Sequence, residues 1–172
     1  DTLEIGDSFS FRGPNGRLEY MGDGVFNIKQ LKSQGGEIIE KKVKNVGMIA
    51  GGTGITPMIQ IIRAVLRNEN DPTKLSLLFA NKEERDIILR DKLENPDRDF
   101  SDRFEVHYTL DKAEDGWSGF TGFIDEEMIR NTMPEPSDDT LILLCGPPKM
   151  NSEAVKPALE SLGYSPDSIF NF

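Results

Sequence analysis

The chain predicts an α/β fold: a doubly wound, parallel five-stranded sheet preceded by short antiparallel β hairpins. Three observations predict it. From Val46 onward, short apolar runs alternate with helical patterns, which implies right-handed crossovers and a parallel sheet with helices on both faces. Two of those runs, Val46–Ala50 and Leu141–Leu144, feed directly into glycine-bearing turns. Residues 1–45 keep a different rhythm, with apolar residues at alternate positions between Gly-, Pro- and Asn-rich turns. The chain therefore divides into residues 1–45 and a parallel-sheet domain over residues 46–172.

In the first part the alternating pairs are Phe9 and Phe11, Leu18 and Tyr20, and Phe26 and Ile28. Gln34-Gly-Gly36 marks a flexible tip before Ile38 and Ile39. Val46, Met48, Ile49 and Ala50 read as a buried strand, because a strand covered on both faces shows a continuous apolar run. Gly51, Gly52 and Gly54 let the backbone turn tightly with no Cβ in the way. Thr56 is the expected helix cap, and Pro57 the first helical residue, where its missing N–H costs nothing. The helix over Pro57–Arg67 carries Met58, Ile59, Ile61, Ile62, Val65 and Leu66, so it must be largely buried. A strand over 75–80, a more polar helix over 83–93 and a strand over 104–110 follow. Then come a short helix over 125–131, a strand over 140–145, a helix around 152–162 and a closing strand over 169–172.

A strand, a glycine turn and a helix start in that order present N–H groups and a positive dipole end to an anion, usually a phosphate. The bland reading is an ordinary tight βα turn. The spacing is not that of the usual dinucleotide fingerprint. A nucleoside triphosphatase turn needs a Lys-Ser/Thr pair where this chain has Ile55-Thr56. Cys145-Gly-Pro147 falls where the later strand ends, and ligands of open α/β sheets bind beyond the carboxyl ends of the strands. Both turns then share one sheet edge. Cys145 is either a small buried hydrophobe, the commonest fate of a free cysteine, or part of a site there.

Composition narrows the function classes. A net charge of −10 argues against nucleic acid, whose phosphates demand a basic surface. One cysteine excludes an internal disulfide and suits a reducing, cytosolic compartment, and one Cys with one His excludes the usual zinc constellations. No apolar run approaches the roughly 18–20 residues of a membrane span, and no signal peptide opens the chain. Against the acidic whole, residues 29–45 set Lys29, Lys32, Lys41, Lys42 and Lys44 against Glu37 and Glu40, a net of +3. That island is either a solvated hairpin or a surface for an acidic partner.

Together the two turns carry a family resemblance. Gly51-Gly-Thr-Gly-Ile-Thr-Pro57 followed by Cys145-Gly-Pro-Pro148 resembles the NAD(P)H-binding half of the ferredoxin-reductase superfamily. Five further segments narrow the resemblance to the NADH-cytochrome b5 reductase family. They are Arg12-Gly-Pro-Asn-Gly16 with Tyr20, Leu78-Phe-Ala-Asn81 with Asp86-Ile-Ile-Leu89, Tyr108-Thr-Leu-Asp111, Gly122-Phe-Ile-Asp-Glu-Glu-Met128 and the terminal Phe172. The family's flavin-barrel motif Arg-x-Tyr-Ser/Thr does not occur here. The opening, Asp1 to Asp7, resembles the segment after the family's second flavin motif. The resemblance thus implies a fragment: the tail of the FAD-binding domain and linker hairpins over 1–45, and an NADH-binding domain over 46–172.

It further implies an oxidoreductase that moves hydride from NADH to FAD and electrons on to cytochrome b5, inactive without its FAD barrel. The Lys island would then help to dock cytochrome b5. An anchor absent from this chain would hold the protein at the endoplasmic reticulum or the mitochondrial outer membrane. A non-catalytic module using the same turn for ADP-like ligands is the alternative. Gly51, Gly52, Thr53, Gly54, Thr56 and Pro57 would take the pyrophosphate and nicotinamide end, with Thr53 also near the flavin. Cys145, with Gly146, Pro147 and Met150 behind it, matches the cysteine that positions the nicotinamide, a positioner and not a nucleophile. Phe123 either lies against the adenine or is a core aromatic, and Phe172 either ends near the flavin or frays. Asp111 matches the aspartate linked to NADH preference. A carboxylate near a 2′-phosphate costs roughly 4 kcal/mol per unit charge pair at an effective dielectric of about 20. Its bland reading is a solvated turn aspartate before Lys112. Lys149 stands where the family commonly has proline, and His107 and Trp117 read as packed strand and loop residues.

Overall fold

Two sheets share the chain. The structure, a computed structural model, describes residues 4, 6–8, 10, 16–94 and 102–172. The expected strand at Phe9 and Phe11, most of the turn from Arg12, and most of the opening segment lie outside the described residues. Strands β1 (Leu18–Gly22), β2 (Val25–Lys29) and β3 (Ile38–Lys42) form an antiparallel sheet in that order. The β1–β2 turn places Asp23 and Gly24 at positive φ, and a Cβ on Gly24 would lie 2.0 Å from the Val43 carbonyl oxygen. Only glycine fits there.

The second sheet is wholly parallel, in the order β7-β6-β5-β4-β8-β9. Its strands are β4 (Asn45–Gly51), β5 (Lys74–Asn81), β6 (Phe104–Leu110), β7 (Phe120–Thr121), β8 (Thr140–Cys145) and β9 (Ile169–Asn171). The class is as the sequence predicts, but the described sheet has six strands and not five. The extra one, β7, is two residues beside Leu110, too short to leave a period-two signal. Helix α1 (Ile55–Arg67) covers one face and α3 (Glu126–Thr132) and α4 (Lys156–Ser161) the other. Alternate β4 residues serve the two cores: Met48 and Ala50 face α1, and Ile49 faces the other side.

Helix α1 buries Ile55, Met58, Ile59, Ile61, Ile62, Val65 and Leu66, each contributing about 1.5–3 kcal/mol of transfer free energy. It begins two residues earlier than expected. Gly52–Gly54 form a 3-10 turn that runs straight into it, so Pro57 sits in the first turn and Thr56 is not the cap. The Thr56 hydroxyl instead donates to the Thr53 carbonyl at 3.0 Å. The expected helix over 83–93 is broken into a 3-10 turn at Glu84–Asp86 and a single helical turn, α2 (Arg90–Leu93). Glu83 and Asp86 cap each other reciprocally, and Leu89 adopts φ +59, which no helix interior tolerates. The last helix opens as a π turn at Met150–Val155, before the expected start near 152.

The small sheet is fastened to the parallel one. Phe26 is fully buried in the α1-side core. The Asp71 carboxylate, 1% exposed, accepts from the Tyr20 hydroxyl, from the Thr73 hydroxyl (2.6 Å) and N–H (3.0 Å), and from the Asp23 N–H (3.2 Å). Burial alone would raise its pKa, but these donors outweigh burial and hold it below the usual value.

Candidate functional site: a cleft at the carboxyl edge of the sheet

The carboxyl ends of β8, β4, β5 and β6 open into one cleft of about 1150 Å³. The glycine turn forms its floor. Gly52 takes φ +53, and a Cβ built on it would meet nothing within 4 Å, so its surface is open to a ligand. Gly54 is pressed against the second turn: a Cβ there would lie 2.0 Å from the Cys145 carbonyl oxygen. A Cβ on Gly146 would meet Met150 Cε at 2.4 Å, and one on Gly51 would meet Met150 Sδ and Pro147 Cδ at 2.8 Å. The two turns therefore form one packed unit, and glycine is required at Gly54, where the neighbour is backbone and not a flexible side chain. No side chain caps α1, whose positive end starts at Gly54 beside the cleft.

Gly51, Gly52, Thr53, Gly54, Thr56, Asp111, Phe123, Cys145, Gly146, Pro147 and Met150 all line this cleft, as the sequence grouped them. Pro57 and Phe172 do not. Pro57 is half-buried in the first turn of α1. Phe172 stacks edge-on against Phe170 at 5.0 Å between centroids, and its N–H donates to the Leu144 carbonyl at 3.0 Å, so this end is held and not frayed. Phe123 is 80% exposed, which removes the core-aromatic reading. Asp111 is exposed at the end of β6, and its N–H donates to the Asn81 carbonyl at 3.1 Å.

Cys145 is half-buried, and burial pushes its thiol above the ordinary value, so it stays protonated at neutral pH. That suits a contact surface better than a nucleophile. His107 lies mid-strand, 3.7 Å from Glu105 and away from the cleft, and Trp117 donates to the Phe120 carbonyl at 2.9 Å. Both keep their bland readings.

Sequence reasoning missed several lining residues, of which Asn81, Lys82, Asp86, Ile88 and Glu153 bear most on a ligand. Asn81 is 6% exposed, yet neither polar atom of its carboxamide has a partner among the described residues. Such a group costs about 1–3 kcal/mol, and it stands beside the space a ligand would fill. Lys82 follows it, Ile88 adds an exposed apolar surface, and Glu153 lies on the β8 side. The apolar run Ile87-Ile88-Leu89 inside a supposedly polar helix was the available signal for Ile88.

The cleft suits a dinucleotide: a Cβ-free turn and helix start for the pyrophosphate, an exposed aromatic for a base, and an unpartnered amide between them. The comparisons with known proteins point the same way. A model of the oxidoreductase NAD-binding domain matches residues 48–156, and the chain belongs to that family. NADH-cytochrome b5 reductase 3 of Rattus norvegicus is 51% identical over 172 residues, which are all of this chain and 56% of the relative. NADH-cytochrome b5 reductase 1 of Homo sapiens is 48% identical over the same 172 residues, again 56% of its length. The chain thus spans a little over half the length of these curated relatives. The crystal structure of the cytochrome b5 reductase domain of Ulva prolifera nitrate reductase superposes with a TM-score of 0.88 at 38% identity, over 99% of this chain and 63% of that one.

Proposed function

We propose that this chain is the NADH-binding part of a flavin-dependent reductase that delivers electrons to cytochrome b5. Residues 46–172 bind NADH, and residues 1–45 are the end of the FAD-binding domain with its linker hairpins. The observation that carries the reading is the packing of two glycine turns into one cleft floor, with Cys145 at one end and Asp111 at the other. The likeness of all of this chain to part of the NADH-cytochrome b5 reductases supports it.

In this reading Gly51–Gly54 and the start of α1 hold the pyrophosphate, and Thr56 stiffens the turn through its bond to Thr53. Cys145, backed by Gly146, Pro147 and Met150, shapes the nicotinamide pocket, and Phe123 with Ile88 covers the adenine. Phe172 and Thr53 lie toward the flavin, which accepts the hydride that NADH supplies. This chain lacks the barrel motif that holds FAD, so the hydride step needs the rest of the reductase. By the same family likeness the reductase is anchored to the endoplasmic reticulum or mitochondrial outer membrane by a segment outside this chain. Among the described residues no helix is long and apolar enough to cross a membrane.

Mixing the intact flavoprotein with NADH without oxygen, then adding oxidised cytochrome b5, tests the proposal. Flavin absorbance should bleach with NADH and return as the cytochrome is reduced. A flavin that NADH leaves oxidised would end this reading in favour of a nucleotide-binding module without redox work.

A further inference from the structure

The cleft crosses neighbouring strands in a fixed order. Cys145 is on β8, the glycine turn on β4, Asn81 and Lys82 at the end of β5, and Asp111 at the end of β6. Adjacent strands lie about 4.8 Å apart, so three spacings separate the two ends by about 14 Å, the reach of an extended dinucleotide. With the pyrophosphate on the β4 turn and the nicotinamide toward β8, the adenosine ribose falls over β5 and β6. Lys149 and Glu153 belong to the β8 side and stand apart from it.

The charges at the ribose end are set by two backbone hydrogen bonds. The Asp111 N–H donates to the Asn81 carbonyl at 3.1 Å, and the Lys112 N–H donates to the Lys82 carbonyl at 2.9 Å. They hold Lys82 and Asp111 side by side, both exposed and both lining the cleft. Neither side chain has an ion pair or hydrogen bond with another described residue. The nearby carboxylates of Glu83 and Glu84 are occupied by Arg85 at 2.7 Å and Arg90 at 2.5 Å. Asp86 accepts from the Glu83 N–H at 3.2 Å and, exposed like Asp111, is a second carboxylate lining the cleft. The ammonium of Lys82 is thus the cation that faces the cleft beside Asp111, with Lys112 next to it outside the lining.

Asp111 and Asp86 would together repel a second phosphate on the ribose. A cation at similar range contributes an opposite term similar in size to one of theirs, because all act through the same solvent-exposed medium. We propose that Lys82 is a specificity-determining residue at the 2′ position, offsetting part of the repulsion from Asp111 and Asp86 so that the site discriminates against NADPH less than its two carboxylates alone would. The inference rests on the dinucleotide reading above and adds the placement of the ribose over β5 and β6.

Titrating the chain with NADH and with NADPH at low ionic strength tests it. The expected results are that Lys82→Gln weakens NADPH by about tenfold and NADH by less than about twofold, a modest unit-charge effect at partly solvated range. Lys82→Arg, which keeps the charge, should retain NADPH binding. The Gln effect should shrink as salt is raised to about 0.15 M, where screening acts over about 8 Å. An equal loss for both dinucleotides would place Lys82 on the shared pyrophosphate and overturn the proposal, as would no loss for either. If the wild-type chain binds neither dinucleotide, the underlying reading fails. If it binds NADH but the Lys82 variants leave NADPH unmoved, only the present inference does.

Discussion

Cys145 and Asp71 are two residues whose titration is moved by their surroundings, one by burial and the other by its hydrogen-bond donors. Burial keeps the Cys145 thiol protonated, which fits the proposed role of touching a nicotinamide without attacking it. In the intact reductase, Cys145→Ala should lower kcat for hydride transfer by about tenfold and raise KM for NADH by less than about threefold. An unchanged kcat would remove it from the transfer geometry. Asp71 acts on stability. Its native pKa is depressed, because four donors outweigh the cost of burying it. A depressed carboxylate contributes stability that is present above its unfolded value, about 3.9, and is lost as pH falls through the lower native value. Asp71→Asn should therefore cost about 2 kcal/mol at pH 6 by turning an amide donor toward N–H and O–H donors. Urea unfolding at several pH values checks this: the gap between variant and wild type should narrow below about pH 4. A gap that stays constant would mean Asp71 matters only through packing.

At the scale of elements, the glycine turn separates folding from binding. A Cβ on Gly54 would collide with the Cys145 backbone, so Gly54→Ala should lower stability by about 2–3 kcal/mol as the two turns are forced apart. Gly52 has open space and positive φ, so Gly52→Ala should cost only about 1–2 kcal/mol yet place a methyl in the cleft. Thermal unfolding and NADH titration together distinguish the two; a Gly52 variant that binds NADH normally would put the pyrophosphate elsewhere. The strongly patterned elements were legible from the residues alone: β4, β8 and α1 are continuous apolar runs or stripes bounded by glycine or capping signals. The break in 83–93 was not legible, because reciprocal capping by Glu83 and Asp86 and a left-handed Leu89 are decided by local hydrogen bonding. Most of the site was legible because both turns announce themselves by glycine. Asn81 and Lys82 were missed since nothing in a strand's last residues says which way they face. Phe172 was grouped with the site by resemblance, and the chain places it on Phe170 beyond the cleft lining.

For the whole molecule, the basic island divides into two sets. Lys44 pairs with Asp139 at 2.6 Å, and Lys41 donates to the Asp167 carbonyl at 3.0 Å, so both fasten the hairpin sheet to the parallel one. Lys29, Lys32 and Lys42 are exposed and have no ion pair with a described residue. On the expectation that the island meets an acidic partner, these three are the lysines left to do so. Changing them to Glu in the intact reductase should raise KM for cytochrome b5 by about tenfold at low salt, less at 0.15 M, and leave a small uncharged acceptor unaffected. An identical salt slope would make the hairpin a linker only. The same division predicts that Lys44→Glu acts mainly on stability. The functional account rests on NADH occupying the cleft whose floor the two packed glycine turns form. The most direct measurement is calorimetric titration of NADH into the wild-type chain and into Gly52→Ala, with circular dichroism to confirm that both are folded. The account predicts one NADH per wild-type chain and binding at least about tenfold weaker in the variant. Equal binding by the two folded proteins, or none by the wild type, would contradict it.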